Sequence, residues 1–192
     1  MAFLRVCCCL AFSVALGGCC NPPNSFLLNV PITAQEQSNW CWAASGKMCM
    51  NYIHPASNVA ECDEANKEFS QSTCCQNGSS SQCNQGGWPQ PDKYGFTFNT
   101  TSDTPLQWNQ VTGQIYCNSK PFAFSWHWSG GGGHMMVAVG YSIVDGANYI
   151  TVNDPLPVGM GSQWTNTYDY YVSATGHTHW NDYYNITYTG GS

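Results

Sequence analysis

Three side chains that together could carry out nucleophilic chemistry stand far apart in the chain: Cys41, His134 and Asp154. A thiolate is a strong nucleophile, an imidazole moves protons near neutral pH, and a carboxylate can fix the imidazole tautomer. Cys41 sits in Ser38-Asn39-Trp40-Cys41-Trp42-Ala43-Ala44-Ser45. That stretch predicts a helix start with the cysteine in the first turn, where unpaired N–H groups and the positive dipole end favour an anionic sulfur. His134 follows four glycines and opens the apolar run Met135-Met136-Val137-Ala138-Val139-Gly140-Tyr141. Its ring can therefore face a cleft at a strand edge while the strand packs behind it. Asp154 ends Tyr149-Ile150-Thr151-Val152-Asn153-Asp154 and is followed by Pro155, which blocks further pairing. Each residue also has a plainer reading. Cys41 could be a half-cystine or a buried thiol, His134 a structural histidine, and Asp154 part of an Asp-Pro turn.

The elements that must position these residues follow from periodicity and breakers. Residues 25–31 read as a short strand stopped by Pro31. Residues 38–54 read as a helix capped by Ser38, with Cys41, Ala44, Met48 and Ile53 near helical spacing. A second helix is expected over residues 57–69 with Ser57 as its cap, and a third opens at Thr104-Pro105 with Trp108, Val111 and Ile115 on one face. Strand signals follow at residues 121–128, 135–141, 149–152 and 185–188. Helices first and strands second argue for an α+β fold of two packed lobes.

Composition narrows the function classes. Of 192 residues only 8% are charged, while 43% are apolar and 14% aromatic, and the net charge is −6. The sole arginine is Arg5. No basic face remains to neutralise phosphates, so nucleic-acid binding is not expected. Residues 1–18 place Arg5 before an uncharged apolar run and small residues, the layout of a secretory signal. The run is too short for a comfortable membrane span of ~20 residues. Leu16-Gly17-Gly18-Cys19 resembles the lipobox of bacterial lipoproteins, which implies a diacylglyceryl group on Cys19 and anchoring to the cell envelope. Residues 19–27 then read as a tether and 28–192 as one domain.

The chain has 12 cysteines, three of them in the signal. Export allows disulfides. With Cys19 lipidated, Cys41 a free thiol and Cys20 unpaired in the tether, six remain to pair: Cys49, Cys62, Cys74, Cys75, Cys83 and Cys117. The Cys62–83 cluster lacks a C-x₂-C pair and a nearby histidine, so zinc is not expected there. His127, His177 and His179 offer no i, i+4 helical pair with which to hold a metal beside His134. Trp126, Trp128, Trp164 and Trp180 read as core or groove-flanking residues, or as the walls of a peptide- or sugar-binding cleft.

Together, in this order, the motifs resemble the papain-like cysteine peptidases, and most of all a compact bacterial branch. That branch includes a plant-pathogen avirulence effector protease and the bacteriocin-leader peptidase-like proteins. The resemblance rests on Gln35 before Cys41-Trp42-Ala43-Ala44, on Gly133-His134 with its apolar strand, and on Asn153-Asp154-Pro155. Cys62, Cys74-Cys75, Cys83-Asn84, Gly87-Trp88-Pro89 and Trp180-Asn181-Asp182-Tyr183-Tyr184 extend it. It implies a papain-like fold with an N-terminal helical lobe, a C-terminal antiparallel β lobe and the cleft between them. It further implies a peptide or protein substrate, no cofactor and a monomer. Cys41 would be the nucleophile, His134 the general base and then acid, Asp154 its orienting group, and Gln35 with the Cys41 N–H the oxyanion hole. Gln37 stays open as an alternative to Gln35, and Asn153 as an alternative to Asp154. Ser38 stands where the papain signature carries a cysteine. A non-catalytic surface protein that binds peptide or glycan on the same scaffold is the other reading.

The mature protein is expected to lack residues 1–18 and to partition into detergent. Intact-mass measurement that finds a soluble, unlipidated product would overturn this expectation.

Overall fold

The structure, a computed structural model, describes residues 20–190; the expected signal at residues 1–18 and the lipidation site Cys19 lie outside the described residues. Strand β1 (Ser25–Leu27) is followed by helices α1 (Cys41–Ile53) and α2 (Glu61–Glu68). Then come strand β2 (Phe96–Thr100), the short helix α3 (Trp108–Thr112) and a π-helical extension, Gly113–Cys117. The remainder is β3 (Phe122–Trp128), β4 (Gly133–Val144), β5 (Ala147–Asp154), β6 (Ser162–Thr167), helix α4 (Tyr168–Val172), β7 (Ser173–Ala174) and β8 (His177–Tyr188). One antiparallel sheet runs β2-β8-β3-β4-β5-β6, with β1 added to β4 and β7 to β8. The class is α+β, as expected. The chain crosses between lobes more than its order suggests, because β1 and β2 both join the sheet.

Every residue from 134 to 141 in β4 is buried. That explains a continuous apolar run where a one-sided strand would alternate. Helix α1 packs on β4, β3 and β8, and the π-helical turn also packs on β4. On α1 the buried set is Trp42, Ala43, Ala44, Met48, Cys49 and Met50, with Ser45 and Gly46 beside them. Small residues let the helix approach the sheet closely, so the first turn is held near the sheet edge.

Three helix boundaries differ from the sequence expectation. Helix α1 begins at Cys41 behind Trp40, with no side-chain cap, and Ser38 Oγ instead accepts a bond from Asn84. Pro55–Ser57 forms a 3-10 turn and Asn58 takes φ 45°, so α2 starts only at Glu61. Glu61, Asp63 and Glu64 then fill its first turn, where the helix dipole favours acids. Helix α3 is capped by the reciprocal pair Gln107 and Gln110 rather than started at Pro105. Strand β8 is much longer than residues 185–188. Its polar His179 and Asp182 are buried but bonded to each other at 3.0 Å, and Tyr171 O–H donates to Asp182 at 2.7 Å. A polar sequence thus became an interior strand with its buried carboxylate, Asp182, fully engaged.

Among the described residues the disulfides are Cys20–Cys117, Cys62–Cys75 and Cys74–Cys83, and Cys41 and Cys49 are free. This corrects the expected pairing set: Cys20 takes the place assigned to Cys49. Cys49 lies on the buried face of α1, where burial, and secondarily the Glu64 charge, push its thiol up. The segment expected as a tether is stapled at Cys20 and enters the sheet at Ser25. The Cys20 bridge closes 97 residues of chain, so Cys20→Ser is expected to cost about 2–4 kcal/mol in urea unfolding. Peptide mapping without reductant should recover these three bridges, and a bridge containing Cys49 would contradict the pairing.

Candidate active site

The thiol of Cys41 stands at the first residue of α1, and the first backbone bond into the helix runs from Ala44 N–H to the Trp40 carbonyl at 2.9 Å. The N–H groups of Cys41, Trp42 and Ala43 therefore have no intrahelical acceptor and point their positive ends toward the sulfur side of the turn. No polar side chain caps this turn, and it is held from the flanks. Trp40 Nε1 donates to the Cys83 carbonyl at 2.8 Å and Trp42 Nε1 to the Gln85 carbonyl at 3.0 Å. Asn39 donates its backbone N–H to Asn84 Oδ1 at 3.0 Å and its side-chain amide to the Asn84 carbonyl at 2.9 Å. The Cys74–Cys83 bridge fixes the loop that receives all four bonds.

His134 is the second residue of β4 and pairs with Trp126 of β3. On its other side, Val137 pairs with Asn153 of β5. Continuing that antiparallel register sets Asp154 opposite Met136, diagonal to His134 on the same face. His134 Nε2 bonds Asp154 Oδ1 at 2.7 Å. Strand alternation turns Asn153 to the opposite face, where it donates to the Val30 carbonyl at 3.0 Å and accepts from Gln163 at 2.8 Å. The residue beside the imidazole is thus the aspartate. Leu156 N–H at 2.9 Å and Trp164 Nε1 at 3.3 Å also donate to its carboxylate.

With Nε2 committed to Asp154, Nδ1 is the ring nitrogen left for the Cys41 thiol, which lines the same cleft. Burial pushes the His134 pKa down, but the bonds and charges of Asp154 and Cys41 outweigh it and raise it from 6.5 to about 9. Burial likewise pushes Asp154 up, and the imidazolium, Leu156 N–H and Trp164 bring it below the ordinary aspartate value. The pair favours imidazolium with carboxylate, next to a free and partly exposed thiol.

Gln35 is placed differently. Its side chain is buried behind the turn, and its amide donates to the Gln37 carbonyl at 2.7 Å and the Ser38 carbonyl at 2.9 Å. Its Oε1 has no partner. The Gln37 amide nitrogen lies against Gly78, in the disulfide-bound loop. The loop after Gln35 is braced by Glu61, which accepts the Glu36 N–H at 2.8 Å and pairs with Lys47 at 3.4 Å. Burial raises Glu61 to about 7 against those two contacts.

Cys41 and His134 open onto a cleft of about 370 Å³ between the lobes, with Trp42 and Gly87 on the helical side and Gly133 and Trp180 on the sheet side. Gly133 is required by close approach, since a Cβ there would lie 2.5 Å from the Trp126 carbonyl oxygen. A second hollow of about 430 Å³ lies beyond the His134–Asp154 pair, walled by Trp128, Trp164 and Tyr170. Trp128 lies parallel to the His134 ring at 6.4 Å between centroids. Trp128 and Trp164, which by sequence are core, groove-flanking or cleft-wall residues, stand here beside the His134–Asp154 pair. Glu61 and Asn84 carry no local signal for their roles, because those arise from contacts 25 and 45 residues away. Among the described residues no cluster of three or more His, Cys, Asp or Glu is arranged to hold a metal.

The sequence profile of the Peptidase_C39 like family matches residues 27–188. No curated protein sequence matches the chain. Among solved structures it is similar to digestive procathepsin L 3 of Tenebrio molitor larval midgut, at 11% identity and TM-score 0.51, over 85% of this chain and 70% of that one. At that identity the likeness is one of fold, and it identifies the architecture as papain-like.

The pKa shifts set the pH dependence of stability. His134 is raised from 6.5 to about 9 and Glu61 from 4.5 to about 7, so both groups bind protons more tightly in the folded state. Their contributions are full below the unfolded values and are lost as pH rises through about 7 and then about 9. The urea midpoint should therefore fall steadily between pH 5 and pH 9.5. A midpoint that rises over this range would contradict the assignment.

Proposed function

The chain belongs to the Peptidase_C39 like family and is a papain-like cysteine peptidase, and from that premise we propose a Cys41-His134-Asp154 mechanism with Gln35 serving the oxyanion. The observation that carries it is the 2.7 Å bond between His134 and Asp154, with the free thiol of Cys41 at the start of α1 lining the same cleft as His134. The Cys41 sulfur, its proton held on His134, attacks the carbonyl carbon of the scissile peptide bond. The carbonyl oxygen becomes an oxyanion against the Cys41 N–H. Gln35 supplies the second donor by releasing one of the two carbonyls that its amide holds in the free enzyme. The imidazolium passes its Nδ1 proton to the leaving amine as the C–N bond breaks. Water then attacks the thioester, giving a proton back to Nδ1, and the carboxylic acid departs as sulfur is released. Asp154 keeps the ring oriented and stabilises its charged form throughout.

The disulfides point to an oxidising environment, and among the described residues no helix is long and apolar enough to cross a membrane. Export through residues 1–18 and anchoring at Cys19, in a bacterial cell envelope, belong to the same proposal. Peptides and proteins are the substrates.

Cys41→Ala should abolish peptide hydrolysis while leaving the thermal midpoint near that of the parent, and His134→Ala should abolish it while also losing, below about pH 9, the stability that the His134–Asp154 pair supplies. Gln35→Leu should lower kcat by roughly 100-fold with little change in KM. Full activity of Cys41→Ala would end the proposal. An unchanged kcat in Gln35→Leu would reduce Gln35 to a brace of the turn.

A further inference from the structure

The cleft that holds Cys41 contains one acidic side chain that the mechanism does not use. Glu68 is the last residue of α2 and lines the cleft with Trp42, Gly87, Trp88 and Trp180. Its carboxylate is held in place by the Trp88 N–H at 3.4 Å and by the Gln90 side-chain amide. Two donors leave a carboxylate with unused acceptor capacity. Among the described residues no lysine supplies it. Among the described residues Lys47 pairs with Glu36 and Glu61, Lys67 with Asp63 and Lys93 with Asp92, while Lys120 bonds Thr187.

The surroundings suit a visiting cation. Trp88 and Trp180 meet edge to face at 4.8 Å and give aromatic surface beside the carboxylate, the combination that holds an alkyl-ammonium or guanidinium group. Gly87 keeps the approach clear. A Cβ there would come within 3.1 Å of Glu68 Cγ and 3.0 Å of the Trp42 ring. The net charge of −6 draws cations toward the protein as a whole.

Direction along the substrate follows from the proton donor. The leaving amine must lie by His134, so the amine-side chain runs past the His134–Asp154 pair into the hollow walled by Trp128 and Trp164. The Glu68 cleft then receives the acyl side. We propose that Glu68 makes this enzyme selective for peptides that carry lysine or arginine on the acyl side of the bond it cuts. This inference rests on the peptidase reading above.

Matched peptides with lysine or norleucine at each acyl-side position test it. For the parent enzyme the lysine peptide should exceed its norleucine partner in kcat/KM by roughly tenfold at one position. Added salt should shrink that ratio. Glu68→Gln should bring it close to one, and Glu68→Lys should turn the preference toward glutamate. A ratio near one in the parent, or one unaltered in Glu68→Gln, overturns the inference while leaving the peptidase intact. If no peptide is cleaved, the peptidase reading itself falls. Binding of the same peptides to Cys41→Ala protein, followed by tryptophan fluorescence, then decides the cation preference alone. Tighter binding of the lysine peptide that is lost in Cys41→Ala/Glu68→Gln supports it, and equal binding refutes it.

Discussion

A buried imidazole loses its proton unless something near it repays the lost hydration. At the edge of this sheet the 2.7 Å bond to Asp154 does so, and it turns burial from an acidifying influence into a setting where imidazolium is favoured. Everything else about the site follows from keeping that bond and the Cys41 sulfur in one place. The bond needs β4 and β5 in one register, because a one-residue slip would present Asn153 in place of Asp154 and send the carboxylate to the other face. The sulfur needs α1 to start at residue 41 and to lie close against the sheet.

The chain meets the second requirement with few charges. With only 8% of residues charged, it relies on indole and amide hydrogen bonds and on disulfides. Trp40, Trp42 and Asn39 tie the turn before the thiol to residues 83–85, and two short-range bridges hold that receiving segment where no large apolar core exists. Glu61 and Glu64 are the exceptions, acids sunk between α1, α2 and the turn carrying Gln35. Glu64 is fully buried and is pushed well above the ordinary range by that burial. Glu61 keeps a lysine and a backbone N–H. The two acids show different responses to burial: Glu61, bonded to a lysine, is raised only to about 7, and burial outweighs every other influence on Glu64.

The cleft has two unlike ends. Beyond the His134–Asp154 pair the walls are indoles, one of which bonds the carboxylate itself and screens it from water. On the other side a glycine backbone, two tryptophans and the Glu68 carboxylate, which has no lysine partner, line the cleft with the thiol. A long chain laid across the Cys41 sulfur would therefore meet an aromatic surface at one end and an anionic one at the other.

How much of this was legible in the chain can be argued residue by residue. Cys41, His134 and Asp154 stood out because local chemistry marks each one: a helix start, a strand start after four glycines, and a strand end before proline. The α+β class and the buried β4 followed from hydrophobic runs, which depend only on near neighbours in sequence. Other features depended on groups brought together from afar. The pairing of Cys20 in place of Cys49 reflects which thiol the fold exposes to a partner and which it buries in α1. The length of β8 reflects Asp182 finding Tyr171, Leu106 and His179 inside the protein. Strand register puts Asp154 rather than Asn153 beside His134, and the packing of its turn gives Gln35 its inward, carbonyl-bound pose. Sequence fixes which groups are available and the local conformations they favour; burial, register and contact across tens of residues exist only once the chain has closed on itself, and these decided which of those groups meet.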